Sequence, residues 1–155
     1  MAIIQYDPII AVMRKHLLEN TELVAWEGWT DGEPIICPRY MDTPENMTYP
    51  CITIYRDYGV RYKYRTGHEH VNMFIHGWFK EMDGRPLLDD IAYIMNLVVN
   101  TLSDNPYEGH KVKEFDLCRL VDSRCPQYEA ETRTWFFMTD WKVVCNRFLY
   151  ETKEE

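Results

Sequence analysis

Glycine is scarce in this chain, at seven residues of 155, and each one stands singly. Neither G-x-G-x-x-G nor G-x-x-x-x-G-K-S/T occurs, so no run of backbone amides is set to cradle a phosphate. Nucleotide binding is left without a motif. There is no G-x-S-x-G to raise a serine on a strand-to-helix turn, and no C-x-x-C pair spaced for zinc or dithiol chemistry. No apolar run approaches the roughly 20 residues of a membrane-spanning helix, so no membrane partner is expected. The opening Met1-Ala2-Ile3-Ile4-Gln5-Tyr6-Asp7 lacks a basic region followed by an apolar core and a small-residue cleavage site, so secretion is not expected.

Basic charge is also in deficit. Seventeen Lys and Arg stand against 25 Asp and Glu, a formal net charge of −8. That field disfavours non-specific attraction to nucleic acid or to an anionic membrane. Cys37, Cys51, Cys118, Cys125 and Cys145 are odd in number and scattered. They suit reduced, mostly buried thiols in a cytosolic folding environment rather than a disulfide framework. Asn46-Met47-Thr48 matches the glycosylation sequon, a chance match without export.

What is present is core material. Apolar residues make up 46% of the chain and aromatics 14%, well above the content of a disordered, charge-rich chain. A chain of this length buries about 68–70% of its extended surface on folding. We therefore expect one domain over residues 1–155, with disorder confined to the tail 151–155.

Asp7 is placed to cap free amides and Pro8 suits a first helical turn; Ile9, Met13 and Leu17 then recur every fourth residue. This predicts a helix over Pro8–Glu19. Between residues 28 and 50, Gly28, Gly32, Pro34, Pro38, Pro44 and Pro50 permit only short extended pieces, the best at residues 35–40 on a sheet edge. Cys51-Ile52-Thr53-Ile54-Tyr55 and Val60-Arg61-Tyr62-Lys63-Tyr64-Arg65 flank Asp57-Tyr58-Gly59, which predicts a hairpin. Thr66-Gly67 turns the chain into a third strand at 71–79, completing an antiparallel meander. Pro86, with Asp89 and Asp90 near the positive end of a helix dipole, opens a second helix to about Leu102. Its stripe is Leu87, Ile91, Ile94, Met95, Val98 and Leu102. Residues 112–121 and 132–146 are the last strands, separated by a turn at Asp122-Ser123-Arg124-Cys125-Pro126. The order of elements predicts an α+β fold, with an antiparallel or mixed β-sheet of about five strands and two α-helices packed on one face.

Candidate chemistry is thin. His68-Glu69-His70, joined by His76 if the strand starts early, is the best metal candidate, yet the plainer reading is a polar turn between strands, since no H-E-x-x-H or Cys partner is near. Cys125 with a distant histidine would make a nucleophilic pair, against the plainer reading of a buried structural thiol. Asp89 and Asp90 diverge by about 100° on a helix, so they complement its dipole rather than share a substrate. Glu129 and Glu131 read as a solvated loop or an interface rim. No catalytic, metal-ligating or cofactor-binding residue is assigned, and no enzyme activity is expected.

Surface patterning says more. In residues 56–65, Arg61, Lys63 and Arg65 alternate with Val60, Tyr62 and Tyr64, while Arg56 stands at the start. One face is basic and the other aromatic. This suits nucleic-acid contact, an ordinary half-buried strand, or docking on an acidic neighbour such as a second copy. Trp135-Phe136-Phe137-Met138 places large apolar groups on both faces of one strand, as helices on both sides or a subunit interface would require. Arg56, Arg61, Tyr62, Lys63, Tyr64, Arg65, Trp135, Phe136, Phe137 and Met138 form the candidate interface.

The element order resembles the tail-terminator, or tail-completion, proteins of long-tailed bacteriophages. The resemblance runs through Asp7-Pro8-Ile9-Ile10, Tyr49-Pro50-Cys51-Ile52-Thr53-Ile54, the aromatic strand 71–79 and the helix 87–102. It continues through Asp122-Ser123-Arg124, Glu131-Thr132-Arg133-Thr134-Trp135-Phe136 and the alternating final strand. Residues 21–48 depart from it, being longer and richer in Trp and Pro. The resemblance implies a virion structural subunit, assembled in the host cytoplasm, that forms a homo-oligomeric, usually hexameric, ring. Such a ring caps the tail tube and joins it to the neck, with the tube protein and a head-completion protein as partners and DNA as passing cargo. A head-completion role at the neck, or a small nucleic-acid-binding module, are the alternatives.

Overall fold

A computed structural model describes residues 7–37, 48–57, 64–65, 68–81, 87–105 and 107–146. Helix α1, Pro8–Glu19, begins where the Asp7 carboxylate accepts the Ile9 amide at 2.9 Å, and Pro8 occupies the first turn. Its buried side chains are Ile9, Ile10, Met13 and Leu17. Asn20 stops it and opens the single turn α2, Thr21–Val24, accepting the Glu22 and Leu23 amides at 3.0 and 3.1 Å. The Asn20 amide also donates to Thr101 Oγ1 at 2.6 Å, tying this corner to helix α3, Leu87–Leu102. Helix α3 buries Ile91, Ile94, Val98 and Leu102, a stripe of helical period. No helix of the described residues is long and apolar enough to cross a membrane.

The strands are β1 (Ile36–Cys37), β2 (Cys51–Arg56), β3 (Tyr64–Arg65), β4 (His68–Lys80), β5 (Leu117–Glu129) and β6 (Thr134–Asn146). They form one sheet in the order β1-β2-β4-β6-β5, with β3 beside β4. Strand β1 pairs with β2 in parallel and every other pairing is antiparallel, so the sheet is mixed. The expected α+β class and the edge strand at 35–40 are present; the described part of that strand is Ile36–Cys37.

Connectivity departs from expectation in two places. Strand β2 pairs with β4, from Cys51 opposite Trp78 to Arg56 opposite Met73; of the strand 60–65 expected to form its hairpin, Tyr64–Arg65 also pairs with β4, and residues 60–63 lie outside the described residues. Glu69 of β4 has Cys145 on one side and Tyr64 on the other, so β3 shares with β2 the edge of β4 away from β6. At 13 residues, β4 is long enough to carry both in line. The predicted turn at 122–126 is also absent: β5 runs straight through it, while the chain reverses at 130–133, where Arg133 takes φ +55°. Register shifts between Leu120 and Asp122 and between Arg124 and Gln127 absorb the turn-prone residues as bulges. Pro126 is tolerated because β5 is an edge strand.

Alternation divides the sheet. Ile52, Ile54, Val71, Met73, Ile75, Phe79, Phe137, Trp141 and Val143 join the buried side chains of α1 and α3 in one core. Both long helices therefore cover the same face, as expected. Trp26 and Trp29, in the connection that follows α2, complete this core. Their rings meet edge to face at 5.2 Å, and Trp29 Nε1 donates to the Leu23 carbonyl at 2.7 Å. Gly77 lies opposite Phe137, and a Cβ there would stand 2.0 Å from Phe137 Cε2. Gly77→Ala is expected to cost about 1–3 kcal/mol through this overlap. A lowered urea midpoint at unchanged m-value would be its signature.

Candidate binding surface

The basic segment 56–65 divides on inspection. Arg56 sits on the helix-covered side of β2 and is only 7% exposed. Its Nη1 donates to Asp7 Oδ2 at 2.6 Å and its Nη2 to Glu69 Oε1. Since Asp7 also caps α1, this guanidinium fastens the start of the helix to β2 and β4. Arg56 therefore leaves the candidate interface, because its cation is engaged inside the protein. Arg61, Tyr62 and Lys63 lie outside the described residues. Tyr64 and Arg65 form β3, and their backbone pairing with Glu69 and His68 is what the structure describes.

The strand 135–138 is split by the pleat. Trp135 and Phe137 point toward the helices, and Phe137 is fully buried, so it offers nothing to a partner. Phe136 and Met138 face the other way and are half-buried. That second face carries an aromatic row. Tyr55 and Phe74 lie 5.0 Å apart between ring centroids, His76 meets Tyr55 edge-on at 5.3 Å, and Trp78 stacks on Phe136 at 5.0 Å. Trp78 Nε1 donates to Thr53 Oγ1 at 3.1 Å. The hydrophobic cluster at its end, Cys51 and Trp78 with Ile35, Tyr49 and Phe136, contains no helical residue.

His76 belongs to this row and not to a metal site. Alternation does put His70 and His76 on one side of β4. At about 3.3 Å per residue, though, His76 stands roughly 20 Å from His70. Glu69 faces the core. Among the described residues no group of three or more His, Cys, Asp or Glu is placed to share an ion. Burial pushes the His76 imidazole down to about 4, so it is neutral at pH 7.

The cysteines are free thiols. Burial pushes Cys51 and Cys145 up to about 12, with the neighbouring Cys37 and Glu69 adding to the respective effects, and raises Cys118 as well. Cys125 is also raised by burial, the wrong direction for a nucleophile. Asp89 and Asp90 occupy the first turn of α3, as the dipole argument requires. Glu129 ends β5 and Glu131 is exposed beyond it.

The outer edge of β5 has no partner strand among the described residues. Its two bulges, Pro126 and the exposed charges Arg119, Asp122 and Arg124 are devices that discourage edge-to-edge pairing. Among the described residues the exposed large apolar side chains are Leu88, Tyr93, Tyr107, Val121 and Tyr128. Sequence reasoning passed over all five. Leu88 alone left a signal, since it stands at the edge of the α3 stripe, about 70° from its centre. With Leu87, Trp135, Glu81 and Asp89 it lines a cleft of about 430 Å³, and Tyr128 packs on Trp135 at 4.8 Å. No protein-family model matches this chain, and no curated protein matches it.

Proposed function

We propose that this chain is a non-enzymatic structural subunit of a virion, of the tail-terminator kind, which acts by forming a ring. The observation that carries the reading is the set of large apolar side chains left exposed among the described residues, Leu88, Tyr93, Tyr107, Val121 and Tyr128, with Tyr107 at 95% exposure. Exposed anchors of this type suit association with protein.

In this reading each subunit contacts its ring neighbours through heterologous surfaces that close by rotation. One side of the hexameric ring seats on the tail tube and ends its growth; the other meets the neck. The net charge of −8 suits a conduit through which DNA must pass without being held. The element order and the mixed sheet with helices on one face support the resemblance on which the reading rests. A head-completion protein would share these features and differ in its partner. The nucleic-acid reading is weakened, because Arg56 is withdrawn from the basic segment.

Electron microscopy of the purified chain mixed with tail-tube protein tests the proposal. Discrete rings at tube ends are expected. A chain that stays monomeric and never binds tubes overturns it, and binding to portal-side rings alone would assign the head-completion role.

A further inference from the structure

We infer that the face of β5 and β6 turned away from the helices is a self-association surface, on which a second copy docks so that Lys142 of each meets Asp140 of the other. On β6, Trp141 and Val143 are buried in the core shared with α1 and α3. Asp140 and Lys142 alternate with them and therefore project from the opposite face. Lys142 stands directly opposite Arg119 of β5, and Asp140 directly opposite Asp122. Like charges placed in this way destabilise a sheet. The bulge between Leu120 and Asp122 creates the second pair, since in unbroken register Val121 would stand opposite Asp140. The face thus carries a row of two cations beside a row of two carboxylates, about 7 Å apart along the strands. Pairing within the chain relieves only part of this. Arg124 Nε lies 3.2 Å from Asp122 Oδ2, while Arg119, Lys142 and Asp140 make no ion pair among the described residues.

A second copy supplies what each row lacks. Turned by half a revolution about an axis that crosses the strands between the rows, it lays its carboxylates over the first copy's cations and its cations over the first copy's carboxylates. The same rotation lays half-buried Val144 over half-buried Met138, and exposed Asn72 over half-buried Phe74. Stacked sheets lie about 10 Å apart, a gap that a lysine and an aspartate side chain span together. Charge also selects this face over others. The whole chain carries −8 and repels its copies, whereas the charged groups projecting here are Arg119, Arg124 and Lys142 against Asp122 and Asp140, with His70 beside Val144. Lys80 and Glu129 flank Thr134 at the far end of the strands. Asp116 acts on the thiol of Cys145, a core residue. The contact is isologous and closes at two copies, so it goes beyond the ring-forming reading: it joins subunits in pairs rather than neighbours around one ring.

Sedimentation velocity on the full chain over a range of concentrations tests this. The wild type is expected to pair, and to pair more weakly at high salt. Lys142→Glu and Asp140→Lys are each expected to weaken pairing roughly 30-fold or more, because each sets like charges against one another twice in the symmetric contact. Both substitutions in one chain restore opposite charges at both places and should return pairing to within about threefold of wild type. Mixing the two single variants should give heterodimers for the same reason. Arg119→Glu, on the exposed edge strand, is expected to weaken pairing roughly tenfold with circular dichroism and Tm unchanged, which separates a lost contact from a damaged fold. A wild type that does not pair, single variants that pair normally, a natively folded double variant as weak as the singles, or a mixture of the singles that stays monomeric each overturn the inference.

Discussion

Replacing Arg56 by alanine is expected to destabilise the protein by about 3–5 kcal/mol, the range found when one partner of a buried ion pair is removed. Asp7 and Glu69 are 10% and 3% exposed at their side chains, so both carboxylates would remain in a poorly hydrated site without the cation between them. Glu69 Oε2 is already buried with no hydrogen-bond partner among the described residues. The loss would spread beyond the pair, since Asp7 also caps α1 and repulsion from Glu69 would draw it off the Ile9 amide. A urea titration at pH 7 measures the change. The informative control is the triple variant Asp7→Ser, Arg56→Met, Glu69→Leu, which removes every charge while keeping a capping side chain. It should recover most of the loss, because a buried ion pair replaced by apolar groups of similar volume is often neutral or better. An Arg56→Ala protein within about 1 kcal/mol of wild type would instead mean that water reaches the carboxylates, as at a surface pair.

Arg56 also shows where sequence reading stops. Local signals placed α1, most of α3 and the strand Cys51–Tyr55, which Arg56 extends by one residue. Whether the cation faced solvent depended on Asp7 and Glu69, 49 and 13 residues away in the chain. No local pattern encodes such a pairing. The same holds for Phe137: one strand with large apolar groups on both faces resembled an interface, until Gly77 on β4 proved to leave the space its ring occupies. The turn at 122–126 was misplaced for a related reason, because an edge strand accommodates a proline and bulges that a paired strand rejects. Tyr107 and Leu88 escaped notice because exposure of one apolar residue is a property of the finished surface.

Acidification supplies the second large effect, and its sign follows from His76. Its imidazole titrates near 4 in the folded protein, below an ordinary value of 6.5, because burial penalises the cation. The folded state therefore binds this proton more weakly than the unfolded state. The stabilisation is fully present above about pH 6.5 and is lost as pH falls from there to about 4. A difference of that size corresponds to about 3 kcal/mol, at 1.36 kcal/mol per pH unit. The conversion needs no discount for solvent, since the residue is 3% exposed. Asp140, opposite Phe74 in the ladder, works the other way: burial, and then Asp122, raise its carboxyl, so its protonation favours the folded state on acidification. The His76 contribution between about pH 6.5 and 5 is isolated by comparison with His76→Gln, in which Asp140 is unchanged. Urea midpoints across this interval for wild type and His76→Gln should therefore differ in slope as well as in level, with the loss on acidification smaller in the variant. Equal slopes would place the titrating group elsewhere. A steep wild-type slope also has a structural reading, because protonating His76 puts a cation among Tyr55, Phe74 and Trp78 and loosens the sheet face that carries Phe136 and Met138.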